Sequence, residues 1–279
     1  MMNMWKAVIV LTIAGCTGGS GIPLAPALQG TGADAFYYIY VGAESADLLH
    51  RIRFGPTGME LDQTTPVGEM AVETEGPHGL NVSPDGDHLY MTTAHGVPDG
   101  KLWKFHAGPD TLVAPPILLG NFPATLDLTP DGLYAFIVNF NLHGEHVPST
   151  VSVVYTPDLV EVDQIPTCTM PHGLRMANDG LFVYSNCMMD DQLVEIDTRT
   201  FEVSRRFSVT TGSEAALLDY QVGEVVTGAS GITKPLESLS NRTATEPTCS
   251  PTWAQPTPDG HSIFVACNKS NEILVIDRE

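Results

Sequence analysis

Basic residues are scarce in this sequence. Its 279 residues include 13 lysines and arginines against 33 aspartates and glutamates, which gives a formal net charge of −20. A surface of this sign repels phosphate backbones and anionic headgroups, so nucleic acid is not an expected partner. The acidity suits two separate roles, solubility and the attraction of cations.

Long apolar runs are also missing after the first twenty residues. The N-terminus has one positive charge, at Lys6, followed by the apolar segment Ala7 to Ala14, which is shorter than the roughly 20 residues that span a bilayer. The sequence Ile13-Ala14-Gly15-Cys16 resembles the bacterial lipobox. An ordinary signal peptide with a chance cysteine is the alternative.

The lipobox resemblance implies a division of the chain and a location. Residues 1–15 would be a lipoprotein signal peptide, residues 16–34 lipidated Cys16 and a flexible tether, and residues 35–279 the folded part. The expected location is the bacterial cell envelope, at the periplasmic face or the outer membrane, with contact to the membrane only through the lipid. Thr17, in place of an acidic residue after the cysteine, favours the outer membrane.

The folded part contains repeats that indicate an all-β fold. Four turns read Pro-Asp-Gly or Asn-Asp-Gly, and their glycines are Gly86, Gly132, Gly180 and Gly260. Such a turn closes a hairpin, because proline presets φ, aspartate bonds nearby backbone and glycine takes positive φ. Short strands at this period predict a β-propeller of four-stranded blades.

Six repeat units are visible, and two of them are incomplete. The N-terminal unit lacks its first strand and the last unit stops after its third, which suits a six-bladed ring or a seven-bladed ring that is short at its C-terminus. The 80-residue interval before Gly260 is interpreted as two repeats, with a degenerate unit at about residues 213–248 whose turn is at Gly223. We expect a gap between the two end blades, unless Pro23 to Gly32 folds back to fill it.

One repeat carries a more specific resemblance. The residues Pro77-His78-Gly79-Leu80, followed by Ser83-Pro84-Asp85-Gly86, resemble the forty-residue YVTN β-propeller repeat family. The similarity covers about residues 36 to 279. It implies the propeller fold but no single function, because the family includes surface-layer proteins, binding proteins and cofactor-bearing enzymes.

Hairpin geometry sorts side chains between the two mouths of the propeller. Within a blade, the start of the first strand and the end of the second lie at one mouth, and the Pro-Asp-Gly turn lies at the other. The predicted ligand site at the first mouth, the axial funnel, comprises His78, His95, Asn141, His143, His172, Met188, Asp190, Trp253, Asn268 and Lys269. His146 belongs to the same mouth, whereas His88 and His261 follow the turns and belong to the opposite rim.

The histidines of this mouth are a candidate metal site. Imidazole together with thioether suits copper, and the candidate ligands are His78, His95, His143 and His172. Alternatively, Pro-His-Gly is a common opening of the repeat and its imidazole bonds to loop carbonyls.

Four cysteines remain after Cys16, and their spacing predicts disulfides. Cys168 and Cys187 flank one hairpin, and Cys249 and Cys267 flank the equivalent hairpin later in the chain. An even number of cysteines in an exported chain favours two bridges within blades, and thiolate metal ligands are the alternative.

The usual catalytic motifs are absent as well. The sequence has no Gly-x-Ser-x-Gly, His-Glu-x-x-His, phosphate loop or Cys-x-x-Cys-His. These absences favour a non-enzymatic binding module whose funnel recognises a small ligand or an envelope protein. The alternative function is a copper-dependent periplasmic oxidoreductase.

Overall fold

The computed structural model describes residues 36–70, 72–95, 99–144, 147–217, 221–227, 233–238 and 246–278. The predicted signal peptide, Cys16, the tether and His146 lie outside these residues. No helix in the described part of the chain is long and apolar enough to cross a membrane.

The described chain is almost entirely antiparallel β-sheet, in the order that the repeats predict. The first sheet contains β1 (Tyr37–Ala43), β2 (Leu48–Gly55) and β3 (Gly58–Pro66), with a 3-10 turn at Glu44–Ala46. The second contains β4 (Pro77–Val82), β5 (His88–Thr93) and β6 (Lys101–His106), with two short outer strands, β7 (Thr111–Leu112) and β8 (Ile117–Leu118). The third contains β9 (Pro123–Leu128), β10 (Tyr134–Asn139), β11 (Pro148–Tyr155) and β12 (Val160–Thr169).

The C-terminal half contributes three further sheets. The fourth contains β13 (Pro171–Met176), β14 (Phe182–Cys187), β15 (Gln192–Asp197), β16 (Glu202–Ser208) and β17 (Ala215–Leu217). A two-stranded sheet, β18 (Gln221–Thr227) with β19 (Thr233–Ser238), precedes the last sheet, which contains β20 (Pro251–Pro256), β21 (Ser262–Cys267) and β22 (Glu272–Asp277).

The Pro-Asp-Gly turns form as the sequence predicts. Gly132 has a φ of 72°, and the Thr129 hydroxyl donates to the Asp131 carboxylate over 2.6 Å. The same carboxylate accepts the Leu133 amide at 3.0 Å, so the turn satisfies its own polar groups. Equivalent hydroxyl-to-aspartate bonds occur at Ser83–Asp85 and Thr257–Asp259.

The innermost strands of successive sheets pack side by side around the propeller axis. The first strands make the contacts β4 to β9, β9 to β13 and β13 to β20, and β1, the second strand of the N-terminal unit, contacts β4. The apolar side chains between neighbouring sheets form the core. Tyr184 and Leu193, for example, pack against Ala254 and Ile263 of the next sheet, and all four are almost fully buried.

The degenerate unit does not form a blade between β13 and β20, and this part of the sequence interpretation is wrong. Its residues form the hairpin β18–β19, which contacts β12 and β11 instead, and Gly223 lies inside β18 rather than at a turn. The first strands β13 and β20 therefore pack directly on one another. The 80-residue interval holds one blade and a hairpin outside the ring, which spacing alone does not distinguish from two blades.

The two end sheets have three strands each, as predicted. In the described residues they do not pack against each other as neighbouring blades do. Their outward faces expose apolar side chains, with Met59 and Leu61 on the first sheet and Phe264, Ile273 and Val275 on the last. Among the described residues this arrangement agrees with the expected gap, and the segment Pro23 to Gly32, which was expected to fill it if it folds back, lies outside those residues.

Candidate functional site

Each blade that has a first strand opens at the histidine mouth with the same backbone feature. The residue before the first strand's proline has a left-handed conformation, with a φ of 68° at Gly76, 52° at Phe122, 54° at Met170 and 50° at Ser250. The carbonyl of that residue accepts an amide from the loop after the second strand, such as Phe140 N to Phe122 O at 2.8 Å. The opening of the first strand and the loop after the second strand are thereby held together in each of these blades.

The structure brings all four predicted histidine ligands into one cluster. His78 and His172 open first strands, and the ring centroids of these two histidines are 6.1 Å apart. His95 and His143 follow second strands, and His95 Nδ1 lies 3.2 Å from His143 Nε2. The prediction that these four side chains share one mouth agrees with the geometry.

Glu44 is the member of the cluster that the sequence interpretation missed. Its Oε1 atom lies 3.0 Å from His78 Nδ1 and 2.8 Å from His95 Nε2, so one carboxylate oxygen accepts from two imidazoles. Burial raises the pKa of Glu44, but the hydrogen bonds from His95 and His78 outweigh it and hold that pKa below its usual value. Glu44 follows β1, the second strand of the first unit, so the hairpin rule that placed His95 could have found it.

Two phenylalanines form the apolar floor of the cluster. The ring of Phe122 lies edge-on to His95 at 4.7 Å and to His78 at 5.2 Å. The ring of Phe140 lies 4.8 Å from that of His172. A left-handed φ is uncommon for a residue as large as phenylalanine, and at Phe122 it directs the ring between the histidines. Gly76 leaves room for His95, because a Cβ there would lie 2.6 Å from the imidazole Cδ2.

The hydrogen bonds assign the tautomers of these histidines. His78 donates from Nδ1 to Glu44, and His172 donates from Nδ1 to the Thr252 carbonyl at 3.2 Å. His95 donates from Nε2 to Glu44 and therefore accepts at Nδ1 from His143 Nε2. His78 Nε2, His143 Nδ1 and His172 Nε2 have no hydrogen-bond partner in the described chain, and each presents a lone pair.

These donors are not arranged as a metal centre. Among the described residues, no group of three or more histidine, cysteine, aspartate or glutamate side chains is placed to hold a metal ion. The reason is local, since Glu44, His78, His95 and His143 direct nitrogen and oxygen atoms at each other and His172 bonds to a carbonyl. The contact to a carbonyl agrees with the alternative interpretation of the Pro-His-Gly opening. Burial lowers the pKa of His172, so this imidazole is neutral at pH 7.

The remaining predicted mouth residues do not join the cluster. Asp190 Oδ2 accepts the Thr169 amide at 2.7 Å, and the Met188 amide donates to the Met170 carbonyl at 3.0 Å, so both stabilise a loop. Exposed Lys269 pairs with Glu246 at 2.9 Å. The rest of the predicted set lies in other surroundings: Asn141 in a left-handed conformation after β10, Trp253 on β20 beside Arg175, and Asn268 bonded through its amide to Ser250.

Both predicted disulfides are present. Cys168–Cys187 joins the end of β12 in the third sheet to the end of β14 in the fourth, with a Cα–Cα distance of 5.7 Å. Cys249–Cys267 joins the segment before β20 to the end of β21 in the last sheet, with a Cα–Cα distance of 4.5 Å. The expectation that both bridges lie within a blade is therefore wrong for Cys168–Cys187, because Cys168 still belongs to the outer strand of the preceding sheet. The four thiols are thus bonded to each other and are not metal ligands.

Two aspartates connect neighbouring blades at this mouth, and neither was predicted. Asp191 accepts the backbone amides of Thr248, Cys249 and Ser250 at 2.6, 3.2 and 2.7 Å. Asp47 accepts those of Glu75 and Gly76 at 3.0 and 2.7 Å. Each carboxylate lies after a second strand and holds the opening of the next blade.

The fold and the repeated mouth define the class of this protein, a β-propeller, and solved structures agree. The chain is similar to hydrazine synthase from Kuenenia stuttgartiensis, with a TM-score of 0.53 and 14% identity, covering 85% of this chain and 72% of that one. It is also similar to a functionally unknown protein from Desulfotomaculum acetoxidans, with a TM-score of 0.55 and 11% identity over 85% of this chain. A third similar structure is a candidate 6-phosphogluconolactonase from Bacteroides fragilis, with a TM-score of 0.53 and 15% identity over 87% of this chain.

These similarities concern the fold alone. The chain spans 65% of the length of the Desulfotomaculum and Bacteroides structures. No family model and no curated protein matches the sequence.

Proposed function

We propose that this protein is a cell-envelope binding module whose ligand site is the histidine mouth of the propeller. The observation that carries the proposal is the convergence of Glu44, His78, His95, His143 and His172 over the phenyl ring of Phe122. Four blades or blade ends contribute to this cluster. Such convergence of polar groups on an apolar floor is typical of small-molecule sites.

The mouth offers a definite chemistry. Three imidazole nitrogens have no hydrogen-bond partner among the described residues, and their lone pairs can accept hydrogen bonds from hydroxyl or amine groups. The floor of Phe122 and Phe140 contributes apolar contact area. The two disulfides and the carboxylates of Asp47 and Asp191 hold the surrounding loops, and this preorganisation reduces the entropy lost on binding.

The proposal is tested by screening small metabolites against protein labelled with nitrogen-15 in its histidines. We expect binders to shift the imidazole signals of His78, His143 and His172. His88 and His106, whose rings are 5.5 Å apart on the opposite rim, are the internal control, and their imidazole signals should not shift. The double variant His78→Ala with His172→Ala should lose the same binders.

The screen also has an outcome that contradicts the proposal. Compounds that shift only the imidazole signals of His88 and His106 would place the ligand site elsewhere. So would compounds that bind the double variant as tightly as the wild type. Thermal unfolding of the double variant shows whether the fold is intact, and a single Glu44→Gln variant provides a milder change to the same cluster.

A copper-dependent periplasmic oxidoreductase is the second candidate function, favoured by the same four histidines. Binding of copper by all four histidines would require the imidazoles of His95 and His143 to turn away from their present hydrogen bonds. Elemental analysis of protein matured in the periplasm tests this candidate. Stoichiometric copper that the double variant loses would support it, and metal-free protein of full stability would contradict it.

The envelope location and the YVTN relationship are part of the proposal. The Ile13-Ala14-Gly15-Cys16 sequence supports lipidation, and the repeated turns support the relationship. Cys16→Ser should release the protein into the soluble periplasmic fraction or leave it uncleaved in the inner membrane. Unchanged mass and fractionation would contradict the lipid anchor.

A further inference from the structure

A second set of polar side chains lies deeper along the first strands than the histidines do. The fourth residue after the strand-opening proline is Asn81 on β4, Asp127 on β9, Arg175 on β13 and Gln255 on β20. Asn81, Asp127 and Arg175 are half-buried, and those of β9 and β13 lie between buried neighbours on their strands. Because the first strands surround the propeller axis, we expect this set to form one polar level around that axis.

Three members of this level, on β4, β9 and β13, contact one another across blades. Asn81 Nδ2 donates to Asp127 Oδ1 at 2.7 Å. Arg175 Nη1 lies 3.6 Å from Asp127 Oδ2, an ion-pair distance longer than a hydrogen bond. On its other side, the Arg175 guanidinium carbon lies 4.9 Å from the centre of the Trp253 ring. The guanidinium is therefore oriented by a carboxylate and an indole.

Arg175 nevertheless donates no hydrogen bond in the described part of the chain. Its Nε atom is fully buried and has no partner there. The side chain as a whole is 23% exposed, so it is not sealed from solvent. A guanidinium has five N–H donors in a planar fork, and leaving buried donors unpaired costs stability. A fixed arginine with free donors is thus suited to a ligand.

This arginine is close to the histidine mouth. His172 and Arg175 are both on β13, and His172 bonds to the carbonyl of Thr252, the residue before Trp253. At Gly173 the strands β13 and β20 approach so closely that a Cβ would lie 2.2 Å from the Thr252 carbonyl oxygen. The histidine mouth and the arginine level are therefore connected through the same two strands.

We propose that Arg175 binds a carboxylate group of the ligand, with the rest of the ligand extending toward the histidine mouth. Arginine forms two parallel hydrogen bonds with a planar carboxylate, which matches the guanidinium fork. The carboxylate of Asp127 lies beside the guanidinium and repels further negative charge, so the level suits a ligand with one negative charge better than a phosphate with two. The inference rests on the proposed function in that it names the ligand class for that site, a small monocarboxylic acid.

The test titrates butanoate and its neutral counterpart butanamide into uniformly nitrogen-15-labelled protein. Signals of arginine Nε–H and tryptophan Nε1–H groups report directly on Arg175 and Trp253. We expect butanoate to shift both signals and butanamide to bind at least about tenfold more weakly, because it lacks the charge. Arg175→Lys keeps the charge but loses the planar fork, and it should weaken butanoate binding about tenfold or more.

A matched control variant tests whether Arg175 itself holds the carboxylate. Arg199→Gln changes an exposed arginine paired with Asp197 and should bind butanoate as the wild type does. Equal binding of butanoate and butanamide, tighter binding of inorganic phosphate, or unchanged binding by Arg175→Lys would overturn the carboxylate site.

The failure of this inference can be distinguished from the failure of the proposed function. If other compounds shift the imidazole signals of His78 and His172 but no carboxylate binds at Arg175, this inference fails while the proposed function stands. If butanoate binds at Arg175 and no compound in the histidine screen involves the mouth, the proposed function fails and the arginine site stands.

Discussion

The two mouths of this propeller are built by different means. At the rim of the Pro-Asp-Gly turns, three of the four turns repeat one solution, in which a serine or threonine hydroxyl bonds to the aspartate two residues later. The histidine mouth repeats its side chains only in part, at His78 and His172, and its loops differ from blade to blade. Corresponding loops contribute Glu44, His95 and His143, while the backbone beneath them is held by disulfides and by the carboxylates of Asp47 and Asp191.

This difference separates the parts of the repeat that maintain the fold from those that carry chemistry. A turn that satisfies its own polar groups needs no ligand, and the repetition of one sequence follows from one shared geometry. A mouth whose side chains differ from blade to blade, on a backbone fixed by covalent and ionic contacts, can present a specific combination of groups. The predictions below test whether the two mouths differ in this way.

The largest expected effect is at Asp191. Asp191→Ala would remove one acceptor shared by three backbone amides, two of which belong to the fully buried opening of the next blade. Because buried donors left unpaired cost roughly 1–3 kcal/mol each, we expect the free energy of unfolding to fall by about 3 kcal/mol. Denaturant unfolding measures the change. A loss no greater than that of a turn aspartate would contradict the account of this mouth.

The disulfides should have a smaller effect. Cys249→Ala with Cys267→Ala removes a bridge with a sequence separation of 18. We expect a loss below the roughly 2–5 kcal/mol typical of small secreted domains, because the bridge closes a short loop in a large fold. Peptide mapping without reductant should show Cys168–Cys187 and Cys249–Cys267. Four free thiols or crossed pairs would show that the bridges are wrongly assigned.

The opposite rim should be less sensitive still. Hydrogen bonds from the Thr129 hydroxyl and the Leu133 amide lower the pKa of Asp131. This depressed folded-state pKa means that the contribution of Asp131 is present above its unfolded pKa and is lost as the pH falls through the folded value. Asp131→Ala should cost about 1 kcal/mol or less at pH 7 and should not shift the signals of the mouth histidines. Shifts at His78 or His172 would show that the two mouths are coupled.

The smallest expected effect is a pH dependence at His172. Burial lowers the pKa of this imidazole, so below an unfolded pKa of about 6.5 the unfolded chain binds more protons than the folded one. Stability should therefore fall as the pH drops from about 7 to 5.5. His172→Gln should make this fall shallower, as measured by denaturant unfolding at several pH values. An unchanged or steeper fall would contradict a neutral, buried His172.

Positions that depend on a single hairpin were predictable from the sequence. The cysteine pairs and the shared mouth of His78, His95, His143 and His172 follow from strand and turn order, because each blade repeats one geometry. Glu44 was missed although the same rule applies to it, since the first unit lacks the turn that marks the other units.

Features that depend on packing between blades were not predictable in this way. The spacing of the turns does not reveal that β18–β19 leaves the ring, because an added hairpin and an added blade have similar lengths. The free donors of Arg175 depend on where Asp127 and Trp253, on two different blades, come to lie. The contacts of Asp191 likewise join residues that are nearly sixty positions apart.

We propose that the protein binds its ligand at the histidine mouth and not at the opposite rim. A crystal structure of the exported protein with a compound obtained from the histidine screen tests this directly. We expect the compound to lie on Phe122, within hydrogen-bond distance of at least two of His78 Nε2, His143 Nδ1 and His172 Nε2. A compound bound among the Pro-Asp-Gly turns, or on the open faces of the end sheets, would contradict it.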